Sequence, residues 1–374
     1  MQESKPVVVL ITKNLPPDLG GMEKLWWEAI KELTKQCTLY VIGPKAAKPY
    51  LQEHCIFLST PKFLPFLLIL SILRTLSIAI KHKPTAILAG SGVTLLPTLF
   101  SGLITKTRTY AYLHGLDIIY PSWLYQTCFK FLAPHIDQVF TNSESTCNLA
   151  INAGVNAEQI SIIHPATTPL SKPNQIAAEY QINKSYKNLI FFGRLVKRKG
   201  LLEFLKNSFA QLCQEDSNYH LHIIGDIPHS EKTKKNNYLE EIRRAINDLA
   251  ISERVTLWGP LPDEALVQIL SQCNAHIFPL LDVADDTEGF GIVIIEADSL
   301  GIPTVAFDCG GARDALTYCN YGKLIESNNY IDFTAAVVTT CTNQEENNNL
   351  NCEPKEPYNW QTFSQKLYSQ LIRA

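Results

Sequence analysis

Residues 188–200, NLIFFGRLVKRKG, decide the architecture. The apolar run Leu189–Phe192 stops at Gly193, and Arg194, Lys197, Arg198 and Lys199 crowd the turn that precedes Gly200. A short apolar run bounded in this way reads as a buried strand feeding a loop. It follows TTPLSKPNQIAAEYQINKSYK (167–187), a polar stretch with two prolines and no apolar period. That stretch reads as an interdomain linker with a short helix. Residue 188 therefore opens a second structural pattern.

The second pattern continues through HLHIIGD (220–226), RVTLWG (254–259), AHIFPL (275–280), PTVAFD (303–308) and GKLIE (322–326). Helical periods fill the gaps, clearest in YLEEIRRAINDLA (238–250). Upstream lies a first series: VVVLIT (7–12), CTLYVIG (37–43), AILAG (86–90), TYAYLHG (109–115), QVFTNS (138–143) and ISIIHP (160–165). Strands alternating with helices predict parallel sheets with helical crossovers. The expectation is an α/β chain of two Rossmann-like domains, 1–170 and 171–356. A polar connector, TNQEENNNLNCEPKEP (342–357), leads to a last helix within 357–374, expected to cross back to the first domain.

Bulk properties agree with two α/β domains. The 374 residues exceed one ordinary core, and 46% hydrophobic with 18% charged residues is a globular composition. A net charge of -3 gives no basic surface for nucleic acid. The ten cysteines show no C-x-x-C pair or zinc spacing, which suits free thiols in a reducing compartment, and MQESKPVVVLIT lacks the pattern of a signal peptide. The expected location is cytoplasmic, extending to the inner face of the plasma membrane.

FLPFLLILSILRTLSIAI (63–80) raises the membrane question. As a helix it is roughly 27 Å long, barely a span. Arg74 near its middle would cost roughly 2.5–3.5 kcal/mol to insert. Ser71, Arg74, Thr75 and Lys81 fall on one face, so the segment reads as a mostly buried core helix with a narrow polar stripe. A peripheral membrane contact is the second reading.

In open parallel sheets, ligands bind beyond the carboxyl ends of strands. Four segments stand there. LPPDLGGMEKLWWEAIKEL (15–33) starts a helix near Gly21, where Gly20 and Gly21 expose backbone N–H groups to an anion or merely form a turn. Arg194 and Lys199 pair a bidentate guanidinium with a point-charge ammonium, a set suited to a diphosphate; otherwise the loop is a solvated basic one. DTEGFGIVIIEADSLGIPTVAF (286–307) spaces Glu288 and Glu296 around Gly289 and Gly291, and its Gly301 and Pro303 stop a buried helix over 292–300. Glu296 on that apolar helix, if buried, needs hydrogen-bond donors such as ribose hydroxyls; otherwise it faces solvent or pairs with an arginine. His114 ends a strand before Gly115 and Asp117, while Asn142 and Ser143 read as a helix N-cap.

Taken in order, GGMEK, LHGLD, FFGRLVKRKG, IIGD, RVTLWGPLPDEAL, EGFGIVIIEADSLGIPTVA and CGGARDAL resemble the large retaining GT-B glycosyltransferase family of bacterial mannosyl- and glucosyltransferases, group 1, family four. The resemblance covers nearly the whole chain. It implies an acceptor-side first domain, a donor-binding second domain and closure between them. The implied reaction moves a hexose from a UDP- or GDP-linked donor to a saccharide or lipid-linked acceptor in cell-envelope polysaccharide, lipopolysaccharide or glycolipid synthesis. Arg194 and Lys199 would bind the diphosphate and, with Gly193, form the donor loop. Glu288 would contact the transferred sugar, Glu296 the ribose, and His114 the sugar near its C6 hydroxyl. Backbone N–H groups of Phe290, Gly291, Ile292 and Val293, beside Gly289, would touch sugar and phosphate. Gly20 and Gly21 would approach the diphosphate, and the base would lie near Trp258 to Leu261.

The donor phosphate would help deprotonate the acceptor, with neither cofactor nor metal required. Asp282, Asp285 and Asp286 lack D-x-D spacing and read as an acidic loop. Three departures stand out: the longer loop FPLLDVADDT on the sugar side, HPATTP in place of a Gly-Val-Asp turn, and Asp314 where Glu is commoner. Trp26, Trp27, Tyr112, Tyr120 and Trp123 could line an acceptor groove or belong to the core. The competing readings are a nucleotide-sugar-binding scaffold subunit and a sugar-nucleotide epimerase on the same fold.

Overall fold

The computed structural model describes residues 5–18, 20–228, 237–284, 286–342 and 358–373. Apart from Thr342, the polar stretch read at 342–357 lies outside the described residues, as does Asp285. The chain divides into two compact units: Met1–Ala166 with Tyr358–Ala374, and Thr167–Pro357. The division precedes the boundary expected at 170, and Thr167–Lys187 belongs to the second unit, its helical content a single turn at Ala178–Tyr180.

The first unit is built on β1 (Val7–Ile11), β2 (Thr38–Pro44), β3 (Ile56–Thr60), β4 (Ala86–Ala89), β5 (Arg108–Leu113), β6 (Gln138–Thr141) and β7 (Ile160–Ile162). They form one parallel sheet ordered β3-β2-β1-β4-β5-β6-β7. Central strands such as VVVLI and AILA are apolar on both faces because helices cover both sides. Edge strand β3 was not anticipated: IFLST is half-exposed and carries no buried alternation.

Helix α1 (Gly21–Gln36) buries Leu25, Trp26, Ala29, Ile30 and Leu33 on one face. Trp26 is fully buried and donates its indole N–H to the carbonyl of Gly90 at 2.8 Å. Truncating such a residue costs about 3–5 kcal/mol. Tyr112 is also fully buried, with its hydroxyl donating to Ile163 O at 2.7 Å. These two aromatics are core, whereas Tyr120 and Trp123 are exposed. The terminal helix, Trp360–Leu371, packs on α1 and adds Trp360, Phe363, Leu367 and Leu371 to the same core. Ser143 is the N-cap read from the sequence, accepting from Thr146 N at 3.0 Å.

The segment read as a buried core helix is instead a surface helix. Most apolar side chains of helix α2 (Leu64–His82) are at least partly exposed. Its inward face is Leu67, Ser71, Thr75 and Ile78. The two hydroxyl residues are small enough to let the helix approach the sheet, and Thr75 satisfies itself on Ser71 O at 2.8 Å. The expected polar stripe is thus divided: Ser71 and Thr75 point inward, while Lys81 is exposed. Helix α3 (Leu95–Thr105) packs beside α2, and α4 (Trp123–Leu132) beside α3.

The second unit holds β8 (Lys187–Phe192), β9 (Tyr219–Ile224), β10 (Val255–Gly259), β11 (Ala275–Phe278), β12 (Thr304–Phe307) and β13 (Gly322–Ile325). The order is β10-β9-β8-β11-β12-β13, all parallel. Its larger core gathers Phe191, Phe204, Phe209, Phe307 and Phe333. In both sheets the direction of strand addition reverses beside the first strand of the unit. Those reversals, β1/β4 and β8/β11, are where crevices form at the strands' carboxyl ends.

Candidate functional site

The carboxyl ends of β8 and β11 carry the basic turn and the glutamate loop. Gly193 leaves β8 at φ +122° and Gly225 leaves β9 at φ +144°, a region that favours glycine. A Cβ on Gly225 would overlap the carbonyl oxygen of Gly193, so the two strand ends pass in backbone contact. Lys197–Lys199 then form one tight turn that ends at Gly200, φ +67°. Leu281 N donates to Arg198 O at 2.8 Å, pinning this turn to the loop after β11.

The turn directs its cations differently. Arg194 and Lys197 are exposed, whereas Arg198 and Lys199 are buried. Lys199 Nζ meets Glu288 Oε2 at 2.8 Å and lies 4.4 Å from the ring centre of Phe278. Arg198 Nε donates to the same Glu288 oxygen at 3.3 Å, and its Nη1 to Asp286 Oδ2 at 2.8 Å. Asp286 is therefore an ion-pair partner rather than part of a free acidic loop.

Burial pushes the Lys199 ammonium below the usual lysine range, against the pull of Glu288, and Arg198 and Arg194 lower it further. Burial alone would raise the Glu288 carboxyl; Lys199, Arg198 and Arg194 overcome it and hold the group below the usual carboxylate range. Glu288 is thus an anion held among cations.

After Glu288 the chain turns through Gly289, Phe290 and Gly291 into helix α5 (Ile292–Ser299). Gly291 caps it at φ +89°, and Phe290 is buried. The first-turn N–H groups of a helix have no partner within it and favour an anion. The glycines of CGGARDAL make room for this loop: Gly311 N donates to Glu288 O at 2.9 Å, and a Cβ there would overlap Gly289 O. Helix α6 (Ala312–Thr317) follows. Glu296 lies half-buried on α5, and its carbonyl accepts from Ser299 Oγ at 2.7 Å. Gly193, Arg194, Lys199 and the run Glu288–Val293 are therefore gathered at one sheet end.

Trp258 and Leu261 stand at the end of β10 and pack, with Val293 of α5, against the apolar cluster that includes Ile190, Phe192, Ile224 and Ala297. The Trp258 indole N–H donates to His222 Nδ1 at 3.1 Å, and His222 Nε2 faces Asn188 Oδ1 at 3.1 Å. Burial, with a smaller contribution from His220, drops His222 to about 3, so the ring is neutral. This chain of contacts fixes the indole plane, a feature that no sequence signal announced.

In the first unit, Gly20 and Gly21 start α1, and Lys24 N donates to Gly20 O at 3.0 Å. Asn14 Nδ2 donates to Glu23 Oε1 at 2.8 Å, placing a carboxylate in that first turn. His114 follows β5 and caps Gly115–Ile119, its backbone N–H donating to Asp117 Oδ2 at 3.3 Å. Burial lowers His114 to about 3 and raises Asp117 to about 6; for Asp117, N–H groups of Gly92 and His114 oppose the rise. His114 is thus a neutral imidazole.

Residues 173–355 match the family model of glycosyl transferases group 1, and residues 19–169 match that of glycosyltransferase family 4. Among curated relatives, a GDP-mannose-dependent alpha-(1-6)-phosphatidylinositol monomannoside mannosyltransferase of Mycolicibacterium smegmatis is 28% identical over 151 residues, 40% of this chain and 37% of that one. A D-inositol 3-phosphate glycosyltransferase of Nocardia farcinica is 28% identical over 215 residues, 56% of this chain and 46% of that one. The chain thus spans about half, or less, of the length of the curated relatives it matches. The fold is also that of Anabaena HepE, solved with UDP (TM-score 0.69, 18% identity, 98% and 99% of the two chains). Sucrose-phosphate synthase of Thermosynechococcus elongatus is equally similar (TM-score 0.70, 17% identity, 98% and 99%).

Proposed function

From a chain that belongs to the group 1 glycosyltransferases of the family 4 type, we propose a retaining, metal-independent enzyme that moves a hexose from a nucleoside-diphosphate sugar to a saccharide or lipid-linked acceptor of the cell envelope. The observation that carries this reading is the buried Lys199–Glu288–Arg198 cluster beside the N-terminus of α5. It combines fixed cations, a fixed carboxylate and oriented N–H groups at one sheet end. That is what a diphosphate leaving group attached to a hydroxylated ring requires.

Each residue has a defined task in this proposal. Arg194, exposed, and Lys199, fixed by Glu288, neutralise the diphosphate as the glycosidic C–O bond lengthens. The N–H groups at Phe290–Val293 add fixed dipoles to the same charge. Glu288 accepts from a hydroxyl of the sugar and Glu296 from the ribose, while Trp258 and Leu261 offer an apolar surface to the base. Gly20, Gly21 and His114 are the donor contacts assigned to the first unit; a neutral His114 can donate to or accept from a sugar hydroxyl. The donor phosphate removes the acceptor proton, so the protein supplies positioning and charge rather than a general base.

A thermal-shift panel with UDP, GDP and their hexose conjugates, in the presence of a chelator, tests the donor. A nucleotide at about 100 times its dissociation constant adds roughly 2.7 kcal/mol of apparent stability. NMR of the product's anomeric proton then reports retention or inversion. Stabilisation by no nucleotide would refute the assignment of Arg194 and Lys199. Binding without transfer to any acceptor would leave a nucleotide-sugar-binding subunit.

A further inference from the structure

We infer that the first unit rests on an anionic lipid bilayer through the outward faces of α2, α3 and α4. This deepens the lipid-linked reading of the acceptor and depends on it only for the purpose the surface serves.

The amphipathicity of α2 runs opposite to that of an ordinary surface helix. Its small polar residues, Ser71 and Thr75, face the sheet, and Phe66, Ile69, Leu73 and Ile80 are each more than half exposed. At 100° per residue these four lie within one narrow stripe, opposite Leu67, Ser71, Thr75 and Ile78. The neighbouring helices continue it: Leu103 and Ile104 on α3, then Trp123, Leu124 and Phe131 on α4, all more than half exposed. Exposed apolar surface of this extent marks an interaction site.

Charge selects the occupant. Between Glu53 and Asp117 the sequence contains no Asp or Glu, yet it holds Lys62, Arg74, Lys81, Lys83, Lys106 and Arg108. The whole chain carries net charge -3, so this is a local asymmetry. Lys62 is engaged by Asp18 at 2.7 Å; Lys81, Lys83 and Lys106 are exposed. On α2, Arg74 and Lys81 are seven positions apart and run along one edge of the apolar stripe. At the C-terminal end of α3 a cavity of about 320 Å³ is lined by Leu99 and Leu103 together with Lys106, Arg108 and His135. Its one acid, Asp137, already accepts from Thr109 N and Oγ1 at 2.7 Å each. An apolar ridge bordered by cations, with an amphiphilic recess of this kind, fits acyl chains below and phosphate headgroups above.

The helix lies in the interface plane. Its Leu67, Ser71, Thr75 and Ile78 face is buried in the unit, and spanning would strip that face and carry Arg74 into hydrocarbon.

Vesicle co-sedimentation of the full chain, without donor or acceptor, tests this separately from glycosyl transfer. The expected result is binding to phosphatidylcholine vesicles containing phosphatidylglycerol and little to phosphatidylcholine alone, weakened by salt. Ile69→Glu with Leu73→Glu lowers binding at least tenfold. Lys81→Gln and Lys83→Gln each lower it about fivefold. All four side chains are solvent-facing, so nucleotide-induced stabilisation is expected to persist in the variants. As a readout that does not depend on the glutamate variants folding, Ile80→Trp emission shifts to the blue on anionic vesicles. No bound fraction at low salt, or binding indifferent to these substitutions, overturns the inference. A dimer dissolved by the glutamate variants, with vesicles ignored, assigns the face to a second copy instead.

Discussion

Lys199 and Glu288 form a 2.8 Å ion pair in which the lysine side chain is 6% and the glutamate 16% exposed. Glu288 also serves Arg198, so one carboxylate answers two buried cations. Removing it should be more damaging than removing either cation. Glu288→Ala is expected to destabilise the second unit by about 3–5 kcal/mol, the cost of leaving a buried charge unpaired. Urea unfolding followed by Trp258 fluorescence measures it, and a loss below 1 kcal/mol would contradict the buried pairing.

Arg198 and Arg194 should separate kinetically. Arg194 is exposed and assigned to the diphosphate, so Arg194→Ala is expected to weaken nucleoside-diphosphate binding roughly 10- to 100-fold, the worth of a charged hydrogen bond. Arg198 spends its donors on Asp286 and Glu288. It is a positioning residue: Arg198→Ala should lower kcat for sugar transfer while diphosphate affinity changes little. Calorimetric titration alongside initial rates makes the distinction. Equal loss of affinity in both variants would place Arg198 on the diphosphate.

Gly225 should tolerate no side chain. Its φ of +144° and its approach to the Gly193 carbonyl leave no room for a Cβ. Gly225→Ala should shift the end of β9 against that of β8, cost more than 1 kcal/mol and weaken nucleotide binding. Gly259→Ala is the control: φ is +71°, but a Cβ there meets nothing within 4 Å. Thermal melting of the pair should show the greater loss in Gly225→Ala.

Acid should destabilise the second unit from pH 6.5 downward. Burial holds His222 and His276 near 3, with small contributions from His220 and Lys199 respectively. In the unfolded chain the same groups take up protons near 6.5, so the unfolded state binds more protons between about 6.5 and 3. Stability therefore falls with pH across that window. His276→Gln should flatten the dependence, read as the slope of unfolding free energy between pH 6 and 4. In the first unit His114 acts in the same sense, while Asp117, raised to about 6, acts oppositely between its unfolded range and 6. An unchanged slope in His276→Gln would refute the neutral buried ring.

The strands were readable wherever both faces are buried, because runs such as VVVLI and LIFF leave no other period to follow. β3 escaped because an edge strand buries little. The orientation of α2 could not be read, since a helix apolar nearly all round has two candidate inner faces. The choice fell to Ser71 and Thr75, whose small size favours close approach. In the site, the glutamate spacing and the glycines were visible, but the sorting of the basic turn was not. Four cations in one loop look alike in sequence. Only the tight turn at Lys197–Lys199 decides that Lys197 faces water while Arg198 and Lys199 turn inward.

The terminal helix has a consequence for biosynthesis. The first unit's core includes Trp360, Phe363, Leu367 and Leu371, which leave the ribosome only after the whole second unit. The surface of α1 that this helix covers, where Gln36 donates to Ser364 Oγ, must wait uncovered through that synthesis. A nascent chain halted before residue 358 holds a complete second unit and an open first one. The order of completion is thus the reverse of the order of translation, and the first unit is where a chaperone would find exposed apolar surface.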